Sequence, residues 1–124
     1  GGAHVVLMTA PCYDSGEQPD GRPWPQDSPS RVGRYNQLVR EVAAANPQVV
    51  TLFDLGGLVC PGGRFSLTVD GVTVRAPDGI HFPVSAVFSP DTPSPDTLAT
   101  VKEFGAWIGR RLIPVLEASA RLAR

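Results

Sequence analysis

The chain has 124 residues, 42% of them hydrophobic and 19% charged, which suits one folded domain and excludes global disorder or two domains. Eleven Lys and Arg against twelve Asp and Glu leave a net charge of -1, so nothing draws the protein electrostatically to nucleic acid or anionic lipid. No apolar run reaches the length of a membrane-spanning helix.

In chain order, HVVLMTA (residues 4–10) is a nearly continuous apolar run closed by Pro11, the pattern of a strand buried on both faces. CYDSGEQPDGRPWPQDSP (12–29) is a long, turn-rich loop, and a loop of that length in a compact domain is usually functional or mobile. Trp24, between Pro23 and Pro25, is expected to pin it to the body of the domain. Ser28 then offers an N-cap and Pro29 a first helical position. Val32, Tyr35, Leu38, Val39, Val42 and Ala45 recur at helical spacing and define one apolar face, and Asn46-Pro47 ends the helix. VVTLFDL (49–55) reads as a second buried strand, so strand, helix and strand form a right-handed βαβ unit.

Gly56-Gly57 and Pro61-Gly62-Gly63 break the chain again. SLTVDGVTVR (66–75) alternates about Asp70-Gly71 and predicts a hairpin with a two-residue turn. DGIHF (78–82) follows, then a loop rich in Pro, Ser and Asp. The last segment is a helix with Ser94 as cap and Pro95 in the first turn. Its stripe is Leu98, Val101, Phe104, Ile108, Leu112 and Val115, and Pro114 should kink it near the end. Arg110, Arg111, Arg121 and Arg124 crowd its terminal half, where cations complement the helix dipole on a solvated face.

The two cysteines, Cys12 and Cys60, fit either buried thiols or one disulfide. Each comes just after a strand-like run, so both fall at the same edge of a parallel sheet, which favours the bridge and an oxidising compartment.

Ligands of open α/β sheets bind beyond the carboxyl ends of the parallel strands, the edge to which the segments after Pro11 and Leu55 and the hairpin exit belong. Asp78 and His81 sit there, three residues apart in a turn. The carboxylate can accept a hydrogen bond from one imidazole nitrogen, fixing the tautomer, while the other nitrogen takes a proton from a hydroxyl nucleophile. Gly79 gives the turn its freedom and Ile80 can anchor it. The motif alone does not separate such a pair from a solvated loop histidine. With only His4 and His81 in the chain, a metal site has little to draw on, and no cofactor motif is present.

The order of features adds context. VVLMTAPC, RVGRYNQLVREVAAANPQVVTLFDL, the LVCPGG turn and DGIHF before EFGAWIGRRLIPVL together resemble the C-terminal part of an SGNH (GDSL-like) hydrolase domain. More narrowly, they resemble the extracytoplasmic SGNH domains joined to actinobacterial membrane acyltransferases of the acyltransferase-3 type. The resemblance spans nearly all of residues 1–124. It implies part of a three-layer α/β/α, flavodoxin-like fold, here with two parallel strands, two main helices and a β-hairpin. It also implies catalytic roles for Asp78 and His81, and the Cys12 and Cys60 positions resemble a disulfide of such domains. The implied activity is that of a serine esterase or O-acyltransferase acting on acyl esters of carbohydrate in a cell-envelope glycan. The implied location is extracytoplasmic, with a membrane reached only through a further segment of the parent protein.

The Gly-Asp-Ser nucleophile block and the oxyanion blocks of that family have no counterpart here. The nearest candidate, Asp14-Ser15-Gly16, lacks the preceding Gly and lies in the proline-rich loop rather than on a strand-to-helix elbow. The expectation is therefore a C-terminal portion of one domain, partnered by an N-terminal portion that carries the serine. The competing expectation is a non-catalytic α/β module that binds a glycan or a partner chain.

Overall fold

A computed structural model describes residues 2–14, 18–22, 24–25, 28–84 and 93–123. The chain is mixed α/β. Strand β1 (Val5–Met8) leads through helix α1 (Pro29–Ala45) to β2 (Val50–Phe53), which pairs parallel to β1 in the register Val5 to Val50 through Met8 to Phe53. A one-turn helix α2 (Leu55–Val59) and a 3-10 turn (Pro61–Gly63) follow. The hairpin strands β3 (Thr68–Val69) and β4 (Val72–Thr73) come next, and α3 (Pro95–Leu122) closes the fold. Both long helices lie against the β1–β2 sheet, and α3 also packs on the hairpin.

Local chemistry accounts for most of these boundaries. Asp70 and Gly71 have φ of 52° and 78°, the left-handed pair that a tight two-residue hairpin turn requires. At α3 the Ser94 hydroxyl accepts from the Thr97 N–H at 3.1 Å, the capping bond the sequence predicts. Ser28 sits at the N-cap of α1 with extended backbone, but its hydroxyl makes no capping bond. Asn46 closes α1 by donating from Nδ2 to the Val42 carbonyl at 2.9 Å. Helix α3 runs through Pro114, whose missing N–H leaves the Arg110 carbonyl without its intrahelical donor.

Gly56 and Gly57 do not break the chain; they lie inside α2. Asp54 caps this turn through the Gly57 N–H, and at Gly56 a Cβ would collide with the Ala10 carbonyl oxygen at the end of β1. The glycines allow a helix to start immediately beyond a strand and to touch its neighbour's backbone.

The core centres on Val59, Cys60, Val72, Val74, Phe104 and Trp107, between α2, the hairpin and the first half of α3. Phe82 stacks on Phe104 with centroids 5.4 Å apart, and Phe104 on Trp107 at 6.3 Å. Trp107, outside the expected stripe, is the largest fully buried side chain, 2% exposed. Its indole N–H points to Asp70 Oδ2 at 3.4 Å, and Arg111 stacks on its ring at 4.1 Å while donating to the same carboxylate at 2.9 Å. Arg111 is thus a clasp between hairpin and helix, not part of a solvated basic face; Arg124 lies outside the described residues.

The other side of the fold is open, contrary to a strand buried on both faces. Val5 and Met8 of β1 are exposed, as are Tyr35, Leu38 and Val42 of the α1 apolar face. Only Val39 and Ala43 of α1 are buried. Trp24 is 40% exposed, so a buried indole does not pin the 12–29 loop. No described helix is long and apolar enough to cross a membrane.

Candidate functional site

Cys12 and Cys60 form a disulfide with Cα atoms 6.2 Å apart, tying the segment that leaves β1 to the end of α2. Two residues on, the Asp14 N–H donates to the Gly79 carbonyl at 3.1 Å. The DGIHF turn therefore sits beside the residue 12–14 segment that follows β1.

Within the turn Asp78 organises everything. Its Oδ1 accepts from the backbone N–H groups of Ile80 and His81 at 2.8 and 2.9 Å, a side chain mimicking a turn of backbone. Its Oδ2 lies 3.0 Å from His81 Nδ1. Gly79, at φ 77°, makes the required left-handed step. The Gly79 N–H donates to Ala76 O at 3.1 Å, and the Ala76 N–H to His81 O at 2.7 Å, which closes the loop on itself. Phe82, rather than Ile80, anchors the turn to α3 through its stack on Phe104.

The two side chains are about half exposed, 47% for Asp78 and 55% for His81. Burial pushes the Asp78 carboxyl up, but the two N–H donors and the imidazole outweigh it and hold the group below its ordinary 3.8. With Nδ1 on the carboxylate, Nε2 is on the far edge of the ring, where a general base must present itself. Ser15 lies outside the described residues.

Beneath the turn is Arg75, 1% exposed and unremarked by any sequence pattern. Its Nη2 donates to the Cys12 carbonyl at 2.9 Å and approaches the Gly79 carbonyl at 3.5 Å. The Tyr13, Phe65 and Phe82 rings surround its guanidinium carbon at 5.6, 5.7 and 5.0 Å. Burial pushes the guanidinium below its ordinary value, against the pull of Tyr13 and Asp78.

A second polar cluster lies where β1 and β2 end. Asp54 Oδ1 accepts from the Thr9 hydroxyl at 2.6 Å and from Arg40 Nη2 at 2.8 Å, and Thr9 Oγ1 in turn accepts from the Gly56 N–H at 2.8 Å. The Thr9 hydrogen bond is the main reason the Asp54 carboxyl lies below its ordinary value; burial opposes it, and Gly57 and Arg40 add to it. Asn36 grips both polar groups of Ala10, accepting from its N–H at 2.7 Å and donating to its carbonyl at 2.9 Å. These contacts join residues 14 to 47 positions apart, and no spacing rule reports them. They fasten α1 and the strand ends to one another.

An open groove of about 400 Å³ runs alongside, with Tyr13, Pro29, Val32, Asn36, Arg40 and Phe65 in its wall. Neither Asp78 nor His81 lines it. His4 is remote from this edge, its Nε2 2.9 Å from Thr51 Oγ1 at the start of β2. Among the described residues, no group of three or more His, Cys, Asp or Glu side chains could hold a metal ion.

No protein-family model, no curated protein and no solved structure matches this chain.

Proposed function

We propose that this chain is the C-terminal portion of an SGNH-type serine esterase or O-acyltransferase domain and supplies its Asp78–His81 pair. The observation that carries the proposal is the 3.0 Å contact between Asp78 Oδ2 and His81 Nδ1, with the carboxylate's other oxygen locked by two backbone donors. A carboxylate held in this way orients the imidazole and stabilises the imidazolium formed during turnover. His81 Nε2 then removes the proton of a serine hydroxyl as that oxygen attacks an acyl carbonyl. The returned proton leaves with the alcohol, and water or a glycan hydroxyl takes the acyl group from the serine in the second half-reaction.

The serine and the oxyanion donors belong, in this proposal, to an N-terminal portion of the same three-layer α/β/α domain. The exposed apolar side chains Val5, Met8, Tyr35, Leu38 and Val42 support this, because they leave the β1–α1 side of the sheet ready for cover. The proposed substrate is an acyl ester of a cell-envelope carbohydrate in an extracytoplasmic setting, to which the Cys12–Cys60 bridge is suited.

The test is hydrolysis of 4-nitrophenyl acetate and of an acetylated oligosaccharide. It compares residues 1–124 alone with a parent protein that contains the preceding segment. Turnover is expected only from the parent, and His81→Ala in it should lower kcat by about 10²–10⁴-fold, the usual share of a general base. Turnover by the isolated chain that survives His81→Ala would refute the proposal. A parent without esterase or transferase activity that binds the glycan would establish the competing reading, a non-catalytic binding module.

A further inference from the structure

A buried cation normally has a carboxylate beside it, because desolvating a charge without a partner is costly. Arg75 feels the pull of the Asp78 carboxylate, but from beyond ion-pair distance. Among the described residues no carboxylate lies within ion-pair distance of it, and its Nε and Nη1 atoms are buried without a hydrogen-bond partner. Among the described residues its side chain bonds from one nitrogen to two carbonyls, those of Cys12 and Gly79. One is the carbonyl of a disulfide cysteine, and the other is the carbonyl at the centre of the Asp78–His81 turn.

A well-packed apolar side chain would fill this position at no such cost. What an apolar side chain lacks is the Nη2 donor that reaches two backbone oxygens while the guanidinium plane packs among aromatic rings. Gly79 O also accepts from the Asp14 N–H, so the turn meets the residue 12–14 segment by one direct bond and by the Arg75 bridge, and the disulfide fixes that segment to α2.

We infer that Arg75 is a positioning residue, whose guanidinium couples the disulfide-held Cys12 segment to the turn that carries Asp78 and His81. The catalytic consequence rests on the reading of that pair given above; the mechanical coupling does not. Arg75 touches no reacting atom, so it acts through the placement of the Asp78 carboxylate and the imidazole.

Hydrogen exchange of the 124-residue chain tests the coupling, with Arg75→Met as the first variant and Arg75→Lys as the second. Met removes the buried charge and keeps an apolar stem, so the unfolding midpoint should stay level or rise. The Ile80 and His81 amides should nevertheless exchange about tenfold faster, the factor for one net hydrogen bond, while α1 amides stay unchanged. A residue with only a packing role would move turn and global stability together. Should Arg75→Met fail to fold, Arg75→Lys keeps the cation without the planar guanidinium that carries Nη2 to both carbonyls, and the same local quickening is expected from it. Unchanged exchange at Ile80 and His81 in a folded variant overturns the inference.

In an esterase-active parent, Arg75→Met should lower kcat with KM little changed. If the exchange result holds and no activity depends on His81, the catalytic reading has failed and the brace stands. If turnover depends on His81 while exchange in the variant is unaltered, the brace has failed and the catalytic reading stands.

Discussion

Removing the Cys12–Cys60 bridge should cost this fold a large part of its stability, and the size follows from chain length. The two cysteines are 48 residues apart, and closing a loop of that length removes about 4 kcal/mol of unfolded-state entropy at 25 °C on the chain-entropy account. The native state loses further contact, because the Cys12 N–H points at Cys60 Sγ from 3.0 Å and Cys60 belongs to the buried core. Against a stability of about 5–15 kcal/mol for an ordinary domain, that is roughly a thousandfold change in the folding equilibrium. The measurement is urea unfolding of the oxidised chain against the Cys12→Ala/Cys60→Ala double variant. Fluorescence of the buried Trp107 is a suitable signal. The expected loss is about 3–5 kcal/mol, with a steeper denaturant dependence in the variant because its unfolded chain is less constrained. A loss below about 1 kcal/mol with an unchanged slope would show that the bridge does not restrict the unfolded chain, and would refute the reasoning.

Three other outcomes are open to direct measurement. Trp107→Ala, which empties the largest buried site and frees Arg111 and Asp70, should destabilise the chain by about 3–5 kcal/mol in urea unfolding followed by far-UV circular dichroism. Gly56→Ala drives a Cβ into the Ala10 backbone and should cost about 2 kcal/mol. Gly57→Ala meets only the movable Asp54 carboxylate and should cost less, so a reversed order would contradict the packing at this edge. The Asp78 carboxyl lies below its ordinary value in the folded protein, so its contribution is complete above an unfolded value of about 3.9 and disappears as pH falls through the lower folded value. Half-exposed as it is, the group should change the turn more than the whole fold. The Ile80 amide signal should show an acid transition that reports the Asp78 carboxyl, with a midpoint below about 3.9; a carboxyl transition above that value contradicts the hydrogen bonding described.

The parts of this protein that local chemistry governs could be read before any coordinates. Asp70-Gly71 names its turn because few other pairs tolerate two positive φ values in succession. Ser94-Pro95 starts α3 because the cap and the proline ring both favour that first turn. Asp78 and His81 could be paired from a spacing of three, since the contact lies within a single turn. The cysteines could be placed at one edge from strand order, though their bond depended on the chain folding back across 48 residues.

What the chain order could not supply were contacts made at a distance and the question of cover. A helical stripe says which side of α1 is apolar, not whether anything lies against it, so Tyr35, Leu38 and Val42 read as core and stand exposed. A glycine pair says that the backbone is free, and only the approach of Ala10 shows why Gly56 is needed inside a helix. Thr9, Asp54 and Arg40 meet because two strands end side by side. Arg75 has the composition of a surface residue and the position of a core one. Tertiary packing alone brings three rings and two carbonyls around its charge, since those partners come from three separate stretches of chain.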